Sequence, residues 1–322
     1  MKKNYIPTIN ISKLNLKNIN SKNNLILKQI QKACIDVGFF QIVGHGIEKK
    51  LINKITKTAH KFFNSKVKNK YKLAPKKWNK SNSNVYRGYF PSDVNGKEGL
   101  DIGDPMISNI FVKKNKRKKI EKLNLSKSLN KNSIGIINKY YGEIFNLSEL
   151  LFKTIIAISK KNHELSKSAF KRIKTLSTLR FNYYPKQEKP IEISKEDGVA
   201  LGCETHVDSG IFTVLYQDRK GGLQVQNRKT KKWYDVPFNK NALVVNTGLA
   251  LEYLTNGKYK ATNHRVLWNK SKRLSIPFFF EPSFDFKMNK TFLGNKKYNK
   301  SLGINYDNFL TNSLKKFVEY NR

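Results

Sequence analysis

Acidic residues are scarce in this chain. Its 322 residues hold 23 Asp and Glu against 63 Lys and Arg, a formal charge of +40. Cysteine is scarcer, at two (Cys34 and Cys203), which excludes a disulfide framework and fits a reducing compartment. Nine prolines and 18 glycines are too few for a fibrous or low-complexity chain. No run approaches the roughly 18 apolar residues of a membrane span, and no apolar stretch follows the charged start Met1-Lys2-Lys3. The expectation is a cytoplasmic protein without a membrane partner, with a monomer as the default.

What is present suits one large domain, of the size of an enzyme, or two small ones sharing a core. Apolar residues make up 39% and aromatics 12%, with 20 Phe and 15 Tyr, enough for a sizeable core. The positive charge first suggests a nucleic-acid partner. The basic residues, however, are 54 Lys and only 9 Arg, beside 37 Asn. A dedicated reader of phosphates and bases needs the bidentate guanidinium. Evenly spread Lys and Asn read instead as compositional background, and no specific nucleic-acid partner is expected. A basic binding protein that has lost turnover remains the alternative from another class, motivated by the run Lys113–Lys119.

Hydropathy periods divide the chain. Ile6–Ile11 alternates like a strand, Leu25–Asp36 and Lys49–Phe63 carry helical stripes, and Gly38–Val43 between them reads as a strand. Segments 64–84 and 111–133 read as loops, the second because like charges repel. The longest helical pattern covers Ser133–Lys160, with a face wide enough to back a sheet. After about Leu176 the period falls to two. Short runs follow at Leu179–Tyr184, Ile211–Gln217, Leu223–Gln226, Trp233–Val236, Ala242–Asn246, Arg265–Trp268 and Leu274–Phe280, then a helix near Tyr306–Tyr320. Many short strands in one block predict a sandwich, barrel or jelly roll within an α+β chain.

Five histidines occur, and two stand in a chemically suggestive setting. In Thr205-His206-Val207-Asp208 the His and Asp are two residues apart, so in extended backbone they face one point. We expect His206 at the mouth of the strand Ile211–Gln217. His264 opens another predicted strand, 58 residues on. Two His and one carboxylate on adjacent strands form the facial triad that holds Fe(II) and leaves positions open. Arg273 and Ser275 share one face of the strand that follows, and together could clamp a carboxylate. His45 in its Gly-His-Gly turn reads as structural, and His60 and His163 as solvent-facing. Cys203 reads as buried packing, and Tyr183 as core because alternation turns it away from Tyr184.

With these residues in order, the chain resembles the iron/2-oxoglutarate-dependent oxygenases of the isopenicillin N synthase-like superfamily over most of its length. Carrying the resemblance are Gly38-Phe39-Phe40-Gln41-Ile42-Val43-Gly44-His45-Gly46, Arg87-Gly88-Tyr89 and Arg180-Phe181-Asn182-Tyr183-Tyr184-Pro185. His206-Val207-Asp208, Gly221-Gly222-Leu223-Gln224-Val225, His264-Arg265-Val266 and Arg273-Leu274-Ser275 complete it. It implies a distorted double-stranded β-helix (jelly roll) with an N-terminal helical region over 1–110 and a long backing helix. The oxygenase domain would cover 111–322, its core about 176–285, with a C-terminal helix. It further implies Fe(II) on His206, Asp208 and His264. 2-Oxoglutarate would meet Arg273 and Ser275, helped by Tyr184 and Asn182, with O2 as co-reactant and a small molecule oxidised at a C–H bond.

Two departures stand out. Leu249 replaces an Asp of the family pattern, a change expected to touch no ligand, and the lysine-rich stretch 111–133 replaces a loop that shapes the substrate entrance. Thr213–Gln217, Leu249 and Ala261–Trp268 also look like isopenicillin N synthase itself, an iron oxidase that uses no 2-oxoglutarate. Asn182 favours the 2-oxoglutarate branch.

Overall fold

The computed structural model describes residues 5–15, 25–93, 96–107, 122–156, 169–190, 192–288 and 305–315. In chain order the N-terminal part runs β1 (Thr8–Asn10), α1 (Leu25–Asp36), β2 (Phe39–Val43), α2 (Lys49–Phe63), α3 (Val67–Tyr71), β3 (Gly88–Phe90) and β4 (Glu98–Ile102). Helix α4 (Lys131–Ile156) leads into β5 (Thr178–Tyr184), β6 (Glu192–Ile193), β7 (Ala200–His206), β8 (Phe212–Gln217), β9 (Leu223–Gln226) and β10 (Trp233–Asp235). Then come β11 (Leu243–Thr247), α5 (Leu249–Leu254), β12 (His264–Leu267), β13 (Arg273–Phe280) and α6 (Tyr306–Leu314).

The strands form two sheets, ordered β1-β2-β11-β8-β13-β5-β4-β3 and β10-β9-β12-β7-β6. From β5 onward the chain alternates between them, and every pair among β5–β13 is antiparallel. That is the winding of a double-stranded β-helix, the jelly roll expected from the sequence. The N-terminal strands add to the larger sheet, β2 beside β11 and β4 beside β5. Gly38 makes the sharp exit from α1 into β2: its φ is +75°, and a Cβ there would sit 2.3 Å from Thr262 Oγ1.

Strand β13 explains much of the packing. Its two-residue period turns Leu274, Ile276, Phe278 and Phe280 to the helical side, where all are 1% exposed or less. Tyr141 and Phe145 of α4 meet Phe278 edge-on, and Phe280 stacks between Phe170 and Phe212. Phe63 of α2 stacks on Tyr183 at 5.1 Å, which sets Tyr183 in the core as expected. The wide apolar face of the long helix thus backs the sheet as predicted.

Several elements differ from the sequence expectation. Residues 64–84 include the short helix α3, pinned because buried Lys70 donates to Glu98 at 2.5 Å and Asn82 to the Ala74 carbonyl at 2.8 Å. The strand β7 escapes a hydropathy reading because its second half, Cys203–His206, is polar and partly exposed. His206 therefore ends β7 instead of lying at the mouth of β8. The Lys113–Lys119 run and His163 lie outside the described residues, as does the end of the long helical pattern beyond Ile156. Among the described residues no helix is long and apolar enough to cross a membrane.

Phe280→Ala should cost about 3–5 kcal/mol by leaving a cavity among the rings of Phe145, Phe152, Phe170 and Phe212, read as a loss in denaturant stability. A second expectation concerns pH. Arg265 is 2% exposed and forks onto Asp197 at 2.9 and 2.7 Å. These bonds, with Ser194 adding, hold the Asp197 carboxyl well below the usual carboxylate range. A depressed folded value stabilises the protein above the unfolded one, near about pH 4, and the gain fades as pH falls through the folded value. Asp197→Asn should therefore melt lower than wild type near pH 7, with the gap closing as the pH drops below about 4.

Candidate active site

The cavity between the two sheets follows from alternation on neighbouring strands. Arg273, Ser275, Pro277 and Phe279 of β13, with Glu281 just beyond its end, all line it. So do Thr178, Arg180, Asn182 and Tyr184 of β5. Registry places Ser275 opposite Asn182 and Arg273 opposite Tyr184, so the four residues singled out for a carboxylate form one patch. His206 and His264 of the smaller sheet face the same cavity, as does Asp208 in the turn after β7.

The three form a compact donor set. His264 is the direct cross-strand partner of His206. One ligand atom from each of His206, Asp208 and His264 lies within 4.8 Å of the others, close enough to hold one metal ion. Second contacts aim these atoms. His206 Nδ1 lies 2.8 Å from the Glu204 carbonyl and His264 Nδ1 3.1 Å from that of Thr262. A carbonyl only accepts, so in the neutral ring each Nδ1 carries the proton and each Nε2 presents its lone pair. Both Nε2 atoms face Asp208 Oδ1, at 3.8 and 3.7 Å. The other Asp208 oxygen is tied back, accepting from Thr213 Oγ1 at 2.5 Å and Asn246 Nδ2 at 2.7 Å.

Charge acts on the same three groups, and a metal at His206 Nε2 would displace the proton that these charges favour there. Burial pushes Asp208 up, but His264 and His206 outweigh it, and the carboxyl stays below its ordinary value. Burial pushes the His206 imidazole down, yet Cys203 and Asp208 outweigh that and carry it up to about 9. Two nitrogens and one carboxylate oxygen on one side of a cavity suit a divalent first-row ion such as Fe(II).

Across the cavity, Arg273 is 3% exposed and Ser275 likewise. The guanidinium donates through Nε to the Gly221 carbonyl at 2.7 Å and through Nη1 to Ser275 Oγ at 3.2 Å, and lies 4.8 Å over the Tyr184 ring. Among the described residues no carboxylate pairs with it. A buried cation held only by neutral groups fits an incoming anion. Asn182 Oδ1 is buried without a hydrogen-bond partner among the described residues. An amide turned over in place would offer a donor at the same point. This patch fits a small dicarboxylate.

Several contributors were not foreseen. Thr213 and Asn246 hold Asp208, although no motif marks them. The segment around Leu249 also holds Asp208, through Asn246 on its carboxylate and the Leu249 backbone amide on its carbonyl at 2.9 Å, while the Leu249 side chain itself makes neither contact. Cys203 packs against the core beside Val225 and Val266, but it is more than packing. It is half-buried, lines the cavity and accepts from Lys97 Nζ at 3.3 Å. Burial raises its thiol, but Lys97 and His206 outweigh that and bring it to about 7. Arg180 forks onto buried Asp101 at 2.5 and 2.8 Å. Glu281 is pushed well above the usual carboxylate range by burial, with Asp208 adding. His60 is exposed and His45 Nδ1 accepts from the Ile47 amide at 3.2 Å, both as expected.

Comparison with known proteins gives the same picture. The family model of the 2OG-Fe(II) oxygenase superfamily matches residues 175–282. That of the non-haem dioxygenase in morphine synthesis N-terminal region matches 6–130. The chain is 29% identical over 281 residues to isopenicillin N synthase of Streptomyces griseus, covering 85% of this chain and 84% of that one. It is 31% identical over 306 residues to a 2-oxoglutarate-dependent dioxygenase of Monascus ruber, covering 88% and 87%. A full-length Neurospora crassa protein solved in complex with alpha-KG and thymine superposes with a TM-score of 0.76 at 19% identity, over 96% of both chains. JOX2 in complex with 2OG, Fe and JA gives 0.69 at 25% identity, over 94% of this chain and 83% of that one. Sequence, winding and donor set converge: the chain belongs to the 2OG-Fe(II) oxygenase superfamily, as an oxidoreductase that works with Fe(II) and 2-oxoglutarate.

Proposed function

We propose that this protein is a dioxygenase that oxidises an unactivated C–H bond of a small molecule, by hydroxylation or desaturation, while 2-oxoglutarate is converted to succinate and CO2. The observation that carries this reading is the buried Arg273–Ser275 pair lying across one cavity from His206, Asp208 and His264. Fe(II) would be held by those three residues and supplies the oxidising chemistry when bound with cosubstrate and O2. The chain's own residues do the rest. Arg273 and Ser275 anchor the far carboxylate of 2-oxoglutarate by a charge-assisted fork and a hydroxyl, with Asn182 and Tyr184 beside it. This orients the cosubstrate, and the apolar wall of Leu215, Leu223 and Val266 keeps water from it.

Neither alternative is favoured. A silent binding protein would have no need of a complete donor set with each histidine aimed by a backbone carbonyl. Against a substrate-only oxidase stand Asn182 in the anchoring patch and the match to 2-oxoglutarate-dependent dioxygenases. The Neurospora crassa protein binds thymine and JOX2 binds JA in their complexes, and small molecules of that scale are the substrates to screen, by substrate-stimulated succinate formation.

Anaerobic Fe(II) and 2-oxoglutarate added together should give a weak visible charge-transfer band. His206→Ala should lack it, and a full band in that variant would sink the triad assignment. Arg273→Lys loses the fork and should raise the KM for 2-oxoglutarate roughly ten- to a hundredfold, as expected for about 1.5–3 kcal/mol of charge-assisted bonding. Thr213→Val and Asn246→Ala free the Asp208 carboxylate, and each should weaken Fe(II) binding by about ten- to a hundredfold in a chelator competition.

A further inference from the structure

Glu281 is buried at 4% exposure, lines the cavity, and holds neither the donor set nor the anchoring patch. Its backbone is fixed from both sides: the amide donates to Ser177 Oγ at 2.9 Å, and the carbonyl accepts from Thr175 Oγ1 at 2.8 Å. Two elements meet at its side chain. One is α6, whose first residue, fully buried Tyr306, donates its hydroxyl to Glu281 Oε2. The other is the turn that carries Asp208. Gly210 packs directly on the carboxyl, where a Cβ would stand 2.6 Å from Oε1 and 2.9 Å from Cδ.

That turn is confined on its remaining sides. The Leu249 amide donates to the Asp208 carbonyl at 2.9 Å, Ala250 to Ser209 and Gly210 at 3.1 and 3.0 Å, and Ile211 to Phe280 at 3.2 Å. Gly248 closes against it so tightly that a Cβ would lie 2.3 Å from the Gly210 carbonyl oxygen. The face at Glu281 is thus a wall of the turn built from a side chain. Further along α6, Leu310, Thr311 and Leu314 line the same cavity. Spacings of four and eight residues put Leu310 and Leu314 on one helical face with Tyr306.

We propose that Glu281 is a positioning residue: gripped by Tyr306 at the root of α6, its carboxyl buttresses the Ser209–Gly210 turn and fixes the direction of the Asp208 carboxylate. The helix that roofs the cavity and the proposed iron ligand are then one mechanical unit. A molecule seated under Leu310, Thr311 and Leu314 presses on the helix whose root holds Glu281, and so reaches Asp208. This rests on the assignment of Asp208 as a metal ligand. Coupling of this kind is reciprocal: metal on Asp208 steadies α6, and a loosened α6 weakens the metal.

Co(II) serves as the probe, because its affinity and visible spectrum report ligand geometry without turnover. Glu281→Ala should bind Co(II) about tenfold more weakly than wild type, with an altered spectrum. Glu281→Gln keeps both the wall and an acceptor for Tyr306 and should stay within about twofold of wild type. Tyr306→Phe should lose a few-fold in affinity. In wild type, Co(II) should slow amide exchange across 306–314, and in Glu281→Ala and Tyr306→Phe it should not. A purely structural role would lower melting temperature while leaving Co(II) affinity and spectrum of the folded protein unchanged. That result in Glu281→Ala, or in Tyr306→Phe where the alanine variant does not fold, overturns the proposal, as does absence of slowed exchange in wild type. Wild type failing to bind Co(II) at all would instead remove the metal assignment beneath it.

Discussion

Strand β13 is the constraint on which the rest of the structure depends. It lies inside the larger sheet between β5 and β8, so both its faces are committed. Even-numbered residues pack the helical layer, and odd-numbered residues from Arg273 to Phe279 floor the cavity. A slip of one residue would send Arg273 into the aromatic cluster around Phe278 and turn Phe280 into the cavity, exchanging a satisfied core for a buried charge. The stability of the fold and the position of the proposed cosubstrate anchor are therefore one requirement. Substitutions that loosen the packing of α4 on β13 threaten the site without touching it.

The opposite wall is specified by hydrogen bonds. Asp208 has two oxygens with different duties. One is occupied by Thr213 of β8 and Asn246 of β11, which places the other towards the histidines. The histidines are aimed by carbonyls of residues two positions earlier in their own segments, so local backbone fixes the tautomer. Strands of the larger sheet thus hold the carboxylate, while the smaller sheet holds the imidazoles. The donor set forms only when the two sheets close on each other, which ties metal affinity to folding.

Much of this was legible in the sequence because it rests on local periods. Helices α1 and α2 end where the apolar stripes end, and most strands of the β block fall within a residue or two of the hydropathy runs. His-x-Asp and Arg-x-Ser were visible because spacing two in extended backbone means a shared face. What stayed hidden depends on long-range contact. β7 is polar where it faces the cavity, so its pattern carries no alternation to detect. Thr213 and Asn246 are ordinary strand residues until the sheets fold them onto Asp208, 5 and 38 residues away. Cys203 packs on the core, but its contact with Lys97, 106 residues distant, could not be read from the sequence.

The basic composition takes on a definite meaning beside this geometry. With 54 Lys and 9 Arg, the few guanidiniums recur where a flat, multidentate donor is needed. Arg180 forks onto Asp101, Arg172 onto Asp104 and Arg265 onto Asp197, while Arg87 reaches Thr178 and the Leu176 carbonyl. Arg273 keeps the same geometry of donors with no carboxylate partner among the described residues. Lysine can supply a surface field in any number, because a point charge in water needs no partner geometry. It replaces arginine inside only where one short contact suffices, as Lys70 does with Glu98. Arg273 thus stands at the cavity wall with its guanidinium held by neutral groups, and a dicarboxylate would complete it.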